Sequence, residues 1–408
     1  MLFYLKIGFR NLLKNYRRSI KTILTIVIGL SACLLAQGFM SNTLWGLRES
    51  LINGGLGHLQ IYRQGYLAHG NEAPYQDLIT GTDRVFQELD RIPGIKLFAP
   101  RLNFQGMAAA GEKSAVFMGA AGVPEAERRL NTFVTLKEGS FLSDEKPFGV
   151  MIGAGLARKL NAGLGDTVTV MAAMKGGGVN ALDMEIVGIM ELQVKASDDA
   201  ALLANLTAAQ ILLDLPDSSD RLILLLNNSE NLAQAEAALR KLGAEMGLEY
   251  RNWRQLAGKQ YTQPKLFYDL AYLLIMTVVV LVVVLSIINT LNLSMQERIR
   301  EIGTIRSLGT TRLQVGKIFL AESFLIGLIG GLAGIIAGYA LAALFNALGG
   351  VPIPPPPGQA RGYTALFTPD FTQALRLWLL FLVTASLAGF YPAVRAARLR
   401  IVDALRWI

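Results

Sequence analysis

The residues that could carry out chemistry are few, and their spacing matches no familiar catalytic or cofactor site. One cysteine, Cys33, and two histidines are too few for a transition-metal site, and a single cysteine cannot form an intrachain disulfide. The acidic pairs Asp144-Glu145 and Asp198-Asp199 lie in polar stretches, which is typical of solvated surface rather than of a metal or general-acid site. Gly153-Ala-Gly155 lacks the third glycine of a dinucleotide-binding turn.

Four common motifs of nucleotide, metal, redox and hydrolase sites are also absent from the sequence. The sequence contains no G-x-x-x-x-G-K-[ST], H-E-x-x-H, C-x-x-C or G-x-S-x-G pattern. The glycine run at 176–178 follows no strand–helix phosphate pattern, and it predicts a hairpin tip or mobile loop. We therefore expect no catalytic residue, no metal and no cofactor bound by this chain, and we predict that it is not an enzyme by itself.

One segment, 295–309, combines apolar and charged residues at regular spacing. Its large apolar residues recur every third position, at Ile299, Ile302, Ile305 and Leu308. Charged residues occupy the positions between them. This pattern predicts an amphipathic helix, which would either lie on a membrane surface or sit in a groove of a partner protein. Spacing alone leaves both interpretations open.

Four stretches are long and apolar enough to position that segment at a membrane. Hydrophobic residues make up 52% of the chain and charged residues 17%. A helix needs roughly 20 apolar residues to cross the hydrocarbon layer. The predicted spans are 22–40, 266–293, 315–348 and 375–391. The second and third are longer than required and should tilt or continue beyond the bilayer.

The distribution of charge predicts the topology. The formal net charge is +8. The stretches before the first span, between the second and third spans, and after the fourth hold 15 basic and 3 acidic residues, whereas 42–265 holds 22 basic and 25 acidic residues. Because lysine and arginine are retained on the cytoplasmic side, both termini should be cytoplasmic and 42–265 should face outward from a bacterial inner membrane. The basic charge then marks topology and argues against nucleic acid as a partner.

The first span could also be a processed segment. Leu30-Ser31-Ala32-Cys33 fits the pattern at which bacterial lipoproteins are cleaved. Apolar sequence continues past Cys33, however, and the basic leader is long with no A-x-A site after it. We expect the span to be retained.

The outward region reads as a mixed α/β domain. Its predicted strands are 59–62, 115–118, 167–171, 184–189 and 221–226, and its predicted helices are 82–91, 155–160, 207–213 and 231–246. Helical stretches at 41–53 and 254–269, the latter with a kink at Pro264, predict a stalk leading out of and back into the membrane.

The third span contains glycines at helix-packing spacing and one carboxylate. Gly330, Gly334 and Gly338 recur every fourth residue, and Gly327 and Gly331 form an adjacent track. Such tracks let helix backbones approach closely, either within one chain or between subunits. Glu322 in the same span is expected to be functional or to lie near the membrane interface.

Several of these motifs resemble those of FtsX-like, MacB-type ABC transporter permeases, and the architecture is most similar to the LolC and LolE lipoprotein-release permeases. The resemblance rests on Glu297-Arg-x-Arg-Glu-Ile-Gly-x-x-Arg-x-Leu-Gly309, Glu322 with Gly330-Gly-x-x-Gly334, Arg10-Asn-Leu, Tyr391-Pro-Ala-x-Arg-Ala-Ala, Val402-Asp-Ala-Leu405, and Ile152-Gly with Gly165-Asp-Thr-Val168. It covers nearly the whole chain.

The resemblance implies a permease fold: four transmembrane helices with an inserted periplasmic α/β domain. The implied segments are 1–21 (cytoplasmic amphipathic amino-terminal helix), 22–40 (first span), 41–265 (stalk and α/β domain), 266–293 (second span), 294–314 (cytoplasmic coupling helix), 315–348 (third span), 349–374 (outward proline-rich loop), 375–391 (fourth span) and 392–408 (cytoplasmic tail). The proline run at 351–358 departs from the family pattern. It would either cross the mouth of the transmembrane dimer or act as a rigid spacer.

It also implies a function and partners. Such permeases form dimers with a second copy or paralogue and lie among membrane lipids. A separate cytoplasmic ABC ATPase, which binds ATP and Mg²⁺, drives them by mechanotransmission. The cargo would be a lipoprotein, lipid or other amphiphile, with a periplasmic carrier or adaptor as a further partner. The alternatives are a regulator of a cell-wall hydrolase or an export pump with an outer-membrane channel. Starting directly with the membrane part is the arrangement expected of the Lol-type branch.

The resemblance finally implies site residues. Those expected to bind the ATPase are Glu297, Arg298, Ile299, Arg300, Glu301, Ile302, Gly303, Arg306, Leu308 and Gly309. Those expected to govern transmembrane packing are Gly327, Gly330, Gly331, Gly334, Gly338 and Glu322.

Overall fold

The computed structural model describes residues 2–69, 75–131, 134–192, 194–353 and 363–399. The chain divides into two compact units. The first, the helical unit, comprises Met1–Trp45, Gln263–Ile353 and Thr364–Ile408. The second, the inserted domain, is built on Gly46–Thr262. The proline run from 354 onward, the Val402-Asp-Ala-Leu405 motif and the last part of the predicted tail lie outside the described residues.

The described helices number fifteen. In chain order they are α1 (Leu2–Lys14), α2 (Tyr16–Ile52), α3 (Tyr66–His69), α4 (Thr82–Asp90), α5 (Pro124–Leu130), α6 (Ala154–Leu160), α7 (Lys195–Asp198), α8 (Leu206–Leu213), α9 (Leu232–Met246), α10 (Trp253–Ala257), α11 (Lys259–Glu297), α12 (Ile299–Ser307), α13 (Arg312–Ala347), α14 (Phe371–Ala388) and α15 (Phe390–Ala397).

The described strands form one large sheet and two small ones. In chain order they are β1 (Leu59–Arg63), β2 (Ile79–Thr80), β3 (Ile95–Ala110), β4 (Lys113–Gly122), β5 (Thr135–Gly139), β6 (Gly149–Gly153), β7 (Thr167–Ala173), β8 (Val179–Glu191), β9 (Ala201–Asn205), β10 (Ser218–Ser219), β11 (Arg221–Leu226), β12 (Leu248–Asn252), β13 (Val351–Ile353) and β14 (Tyr363–Ala365). The large sheet has the order β12-β1-β11-β3-β4-β9-β6-β8-β5, with β7 paired to β3 and β8.

The inserted domain is built around the long β3–β4 hairpin. β3 runs for 16 residues, and its partner β4 pairs with it from Arg101 opposite Gly122 to Ala110 opposite Lys113. Alternate residues point to opposite faces of a strand, so Leu102 and Phe104 enter the core while Asn103 and Gln105 face away from it. The glycine run at 176–178 lies at the turn of the β7–β8 hairpin, as predicted.

Within the described part of the chain, four helices are long and apolar enough to cross a membrane, in agreement with the predicted fold class. They are α2, α11, α13, and α14 continued by α15. All four begin before the predicted span limits, and all except α13, which ends at Ala347, also run past them, since a helix can continue out of the bilayer into polar sequence. Cys33 lies buried within the unbroken α2, and Pro264 lies inside α11 near its start.

The two glycine tracks of α13 face two other spans of the same chain. A Cβ on Gly330 would lie 3.0 Å from the Cβ of Ile26, and one on Gly334 would lie 3.0 Å from the Cβ of Leu30. Gly338 faces Leu34 in the same way, so this track packs on α2. Gly327 and Gly331 instead face Ala385 and Trp378 of α14. Both tracks therefore contact helices of the same chain.

Short polar contacts tie the spans together where the backbones are close. The Ser31 hydroxyl donates to the carbonyl oxygen of Gly334 at 3.0 Å. The hydroxyls of Thr22 and Thr290 lie 2.6 Å apart, joining α2 to α11. Buried hydroxyls in a membrane span find partners because hydrocarbon offers none.

Candidate functional site

The segment between the second and third spans is shorter and more broken than predicted. α11 continues to Glu297, Arg298 leaves the helical conformation with φ −110° and ψ 14°, and α12 spans only nine residues. Gly309 then takes a φ of +101°, which residues with a side chain rarely adopt, and Thr311 starts α13 through a capping box with Gln314. The predicted segment 294–314 is therefore helical in part and not one continuous helix. The segment has a helix of two and a half turns between two breaks.

The apolar residues of this segment do not share one face. A helix turns about 100° per residue, so a repeat of three falls roughly 60° short of a full turn at each step. Ile299 and Ile302 are accordingly buried in the helical bundle, whereas Ile305 is 39% exposed and Leu308 is 83% exposed. The spacing of three spreads the apolar residues around α12, which places an apolar group on the side away from the bundle.

The two glutamates of the segment pair with the amino-terminal helices of the chain. The Lys14 ammonium at the end of α1 lies 2.7 Å from Glu301 Oε1. The guanidinium of Arg18, at the start of α2, forms an ion pair with Glu297. The sequence assigned both glutamates to a partner protein, but here they bind basic residues of the same chain. Lys14 and Arg18 were missed because nothing local in the sequence relates them to residues nearly 300 positions away.

Arg298 connects this surface to a buried carboxylate of the third span. Its Nε lies 3.2 Å from Glu301 Oε2, and its terminal nitrogen lies 3.0 Å from Glu322 Oε1. Asn11 of α1 donates to the same Glu322 oxygen at 2.5 Å. Glu322 is 2% exposed. One carboxylate thus joins α1, the break before α12 and the third span.

α1 approaches the third span closely enough to make these contacts. A Cβ on Gly8 would lie 3.2 Å from the backbone nitrogen of Glu322. Gly8 and Asn11 are three residues apart, so both lie on the same side of α1. Leu12, four residues after Gly8, is also buried on this side of α1. We call Asn11, Lys14, Arg18, Glu297, Arg298, Glu301 and Glu322 the coupling cluster.

The remaining predicted site residues lie around the rest of α12. Gly303 is buried against the bundle, and the Arg306 guanidinium donates to the carbonyl oxygen of Leu399 beyond the end of α15. Arg300 is exposed on the outer side of α12. The structure therefore divides the predicted set into an inner group, which fixes the segment to its own chain, and an outer group.

The outer side of the segment carries an exposed apolar surface. It consists of Ile305, Leu308 and Leu313, whose side chains are 39%, 83% and 77% exposed. Arg300 and Arg312 are exposed on the same connection. We call these three apolar residues the apolar tip. Leu313 is not among the predicted site residues, because it lies beyond the repeat of three and after the motif that ends at Gly309.

The Glu301 carboxylate is held in its charged form. Hydrogen bonds from Lys14 and then from Arg298 lower the pKa of Glu301 below its usual value, against a small opposing effect of burial. At neutral pH the carboxylate is ionised and its pairing with Lys14 is intact. Among the described residues, no group of three or more histidine, cysteine, aspartate or glutamate side chains is arranged to hold a metal ion.

Two family models match the chain. The model of the MacB-like periplasmic core domain matches residues 19–242. The model of the FtsX-like permease C-terminal region matches residues 273–401. The first covers more than half of the chain, and the second contains the coupling segment and the last three spans apart from the start of α11.

Individual relatives extend this similarity over the full length. The lipoprotein-releasing system transmembrane protein LolC of Neisseria meningitidis is 24% identical over 425 aligned positions, covering 98% of each chain. LolE of Haemophilus influenzae is 24% identical over 333 positions, covering 78% of this chain and 79% of its own. The macrolide export ATP-binding/permease protein MacB of Bdellovibrio bacteriovorus is 25% identical, covering all of this chain and 62% of its own.

Proposed function

Because this chain belongs to the family of MacB- and FtsX-like ABC transporter permeases, we propose that it passes the movement of a separate ABC ATPase to its inserted domain. ATP and Mg²⁺ would bind to the ATPase and not to this chain. The observation that carries the proposal is that the segment around α12 is held to its own chain and still exposes apolar residues. The ion pairs of Glu297 and Glu301 hold it to the amino-terminal helices, whereas the apolar tip remains exposed.

In this proposal the ATPase binds the apolar tip. Ile305, Leu308 and Leu313 fit a groove in the partner as apolar anchors, and Arg300 and Arg312 form the charged rim. Glu297 and Glu301 take a different role from the one that the family resemblance implied. They hold α1 and the start of α2 against the segment, so that a movement of α12 also moves the amino-terminal helices.

The path from α12 into the membrane runs through Arg298. Its guanidinium contacts Glu301 on the outside of the cluster and the buried Glu322 within the third span. Because Asn11 binds the same carboxylate, a displacement of α12 acts on α1 and α13 together. This is mechanotransmission by rigid elements that meet at one buried charge.

The proposed cargo is a lipoprotein, lipid or other amphiphile. This is supported by LolC and LolE, whose names describe a lipoprotein-releasing system and which align with most of this chain. A macrolide-type export pump is the second candidate, supported by the MacB relative that covers the whole chain. In both cases we place the protein in the bacterial inner membrane, with its termini in the cytoplasm and with a second copy or paralogue beside it.

The first prediction tests the apolar tip. Leu308→Asp places a carboxylate where the proposal puts an apolar anchor, and we expect the affinity for the ATPase subunit to fall by about tenfold or more. Leu308 is exposed, so folding and membrane insertion should not change. The measurement is co-purification of the ATPase and its rate of ATP hydrolysis, with both subunits in the same nanodisc.

Leu348→Asp is the matched control. Leu348 is 74% exposed and lies at the opposite end of α13. If both variants lose the ATPase equally, or if Leu308→Asp retains it, α12 is not the docking site. The co-purified components then separate the two cargo classes, since a lipid mover should retain a soluble carrier and a pump should retain an adaptor.

A further inference from the structure

The inserted domain contains a cavity of about 520 Å³, a size typical of small-ligand sites. Its floor is one face of the large sheet, formed by side chains of four adjacent strands. β11 contributes Arg221, β3 contributes Asn103 and Gln105, β4 contributes Met118, and β9 contributes Leu203. Adjacent strands are about 4.8 Å apart, so these four extend over roughly 15 Å.

Polar and apolar side chains are segregated across this floor. At the β11 and β3 end the polar side chains Arg221, Asn103 and Gln105 line the cavity beside the Phe104 ring. From β4 onward the lining is apolar. The apolar residues that line this end are Met118, Val134, Met190, Leu192 and Leu203. A ligand that lies across the strands would therefore meet hydrogen-bonding groups at one end and hydrocarbon at the other.

The two arginines at the polar end of the cavity are each neutralised by a carboxylate. The Arg221 guanidinium lies 2.7 Å from Asp220, and the Arg101 guanidinium at the same end forms a two-point contact with Glu127. Both carboxylates are nearly fully buried, and each already balances its arginine. A free anion such as inorganic phosphate would have to compete with them. The site suits a neutral or zwitterionic polar group.

Tyr75 adds a donor at this end. Burial, and then the Asp220 carboxylate, raise the pKa of Tyr75, so its hydroxyl is protonated at neutral pH. With the amides of Asn103 and Gln105 it can bind ester or amide carbonyls, the groups next to the acyl chains of lipids and of acylated proteins.

We infer that this cavity binds a single acyl chain of an amphiphile together with its ester or amide linkage. The acyl chain lies over Met118 and Leu203. The ester or amide linkage contacts Asn103, Gln105 and Tyr75. The class of ligand rests on the proposed function. The location does not, because it follows from the segregation of side chains over the sheet. A membrane phospholipid and an acylated peptide carry the same chemistry, so the test includes both.

The test is photolabelling of the permease–ATPase complex in nanodiscs. One probe is a phosphatidylcholine with a diazirine in its acyl chain, and the other is a palmitoylated peptide with the same group. Peptides are then mapped by mass spectrometry. We expect cross-links within 101–120 and 190–203. Met118→Glu should reduce this labelling by about tenfold, because it places a carboxylate in the apolar half.

Val116→Glu is the control, since Val116 lies on the same strand and the same face, is 67% exposed against 70% for Met118, and is not among the lining residues. It should leave labelling nearly unchanged. Absence of cross-links from both segments, or an equal loss in both variants, would overturn the inference. If only one of the two probes labels these segments, that probe identifies the source of the acyl chain.

ATP hydrolysis in the same samples separates the two proposals. If hydrolysis responds to the probes while the cavity stays unlabelled, the cavity inference fails and the proposed function stands. If the cavity is labelled but the ATPase neither binds nor responds, the proposed function fails and the binding site stands.

Discussion

Two sets of ion pairs in this molecule have similar residues but opposite surroundings. In the coupling cluster, Lys14 and Glu301 have side chains 62% and 47% exposed, and Arg18 and Glu297 are 39% and 49% exposed. In the inserted domain, Arg101 and Glu127 are 10% and 3% exposed, and Asn131 donates a further hydrogen bond to Glu127.

The difference in exposure separates contacts that can open from contacts that cannot. An exposed pair contributes about 0–1 kcal/mol because water competes for both charges. Removal of one partner from a buried pair costs about 3–5 kcal/mol because the other charge is left without a counter-ion in a dry site. The Arg101–Glu127 pair therefore behaves as a fixed joint. The outer pairs of the coupling cluster can separate and re-form while the fold persists.

The largest effect is expected from breaking the fixed joint. Glu127→Ala leaves the Arg101 guanidinium buried without its carboxylate, and we expect the inserted domain to lose about 3–5 kcal/mol of stability. Hydrogen exchange of β3 and α5 in the purified full chain measures this loss.

Glu125→Ala provides a control on the same helix. Glu125 is 73% exposed and pairs with the exposed Arg129, so its removal should cost at most about 1 kcal/mol. Equal effects of the two substitutions would mean that burial does not distinguish these pairs, and the comparison would lose its basis.

A smaller loss is expected in the helical bundle. Gly334→Leu drives a side chain into Leu30 of α2, and overpacking of this kind costs about 1–3 kcal/mol. The melting temperature in detergent should fall, whereas Ile336→Leu, at a position 71% exposed, should leave it unchanged. A normal melting temperature for Gly334→Leu would show that α2 and α13 are not rigidly packed.

The smallest effect on stability is expected in the coupling cluster, where function should change instead. Lys14→Glu places a second carboxylate opposite that of Glu301. The melting temperature should change little because the pair is exposed. Coupling of ATP hydrolysis to transport should weaken. Lys14→Arg keeps the positive charge opposite Glu301 and should retain the coupling. A loss in Lys14→Arg as large as that in Lys14→Glu would assign the effect to something other than the ion pair.

The same pair gives a pH dependence with a defined sign. The pKa of Glu301 is lowered in the folded chain, so its pairing contributes fully above the ordinary glutamate pKa of about 4.3 and is lost as the pH falls below it. The measurement is the rate of hydrogen exchange of the α1 amides between pH 3 and 5. Glu301→Gln should abolish the part of the pH dependence that comes from this pair.

The sequence predicted those features that depend on local periodicity. Strand β11 was predicted at its observed limits because a short apolar run, 222–226, is flanked by turn residues on both sides. β3 was missed because Pro100 and Gly106 interrupt its alternation, although pairing with β4, β7 and β11 stabilises it. The family motif identified the segment around α12, but not which of its residues face the chain itself.

What local pattern could not provide were contacts between distant segments. The family motif singles out Glu297 and Glu301, but their partners on α1 and α2 follow only from the folded arrangement. The glycine tracks of α13 likewise predicted close packing without naming the partner helix. The apolar repeat was misread because a period of three resembles a helical face over two steps and departs from it over three.

The breaks on either side of α12 make it a lever. Nine residues at about 1.5 Å each give a rod of roughly 13 Å, which can pivot at Arg298 and at Gly309. A tilt of about 10° about Gly309 would displace the Arg298 end, where Glu301 lies, by roughly 2 Å, enough to carry the 2.7 Å contact between Lys14 and Glu301 out of hydrogen-bonding range. A small rotation of the rod would thus release α1 from α12.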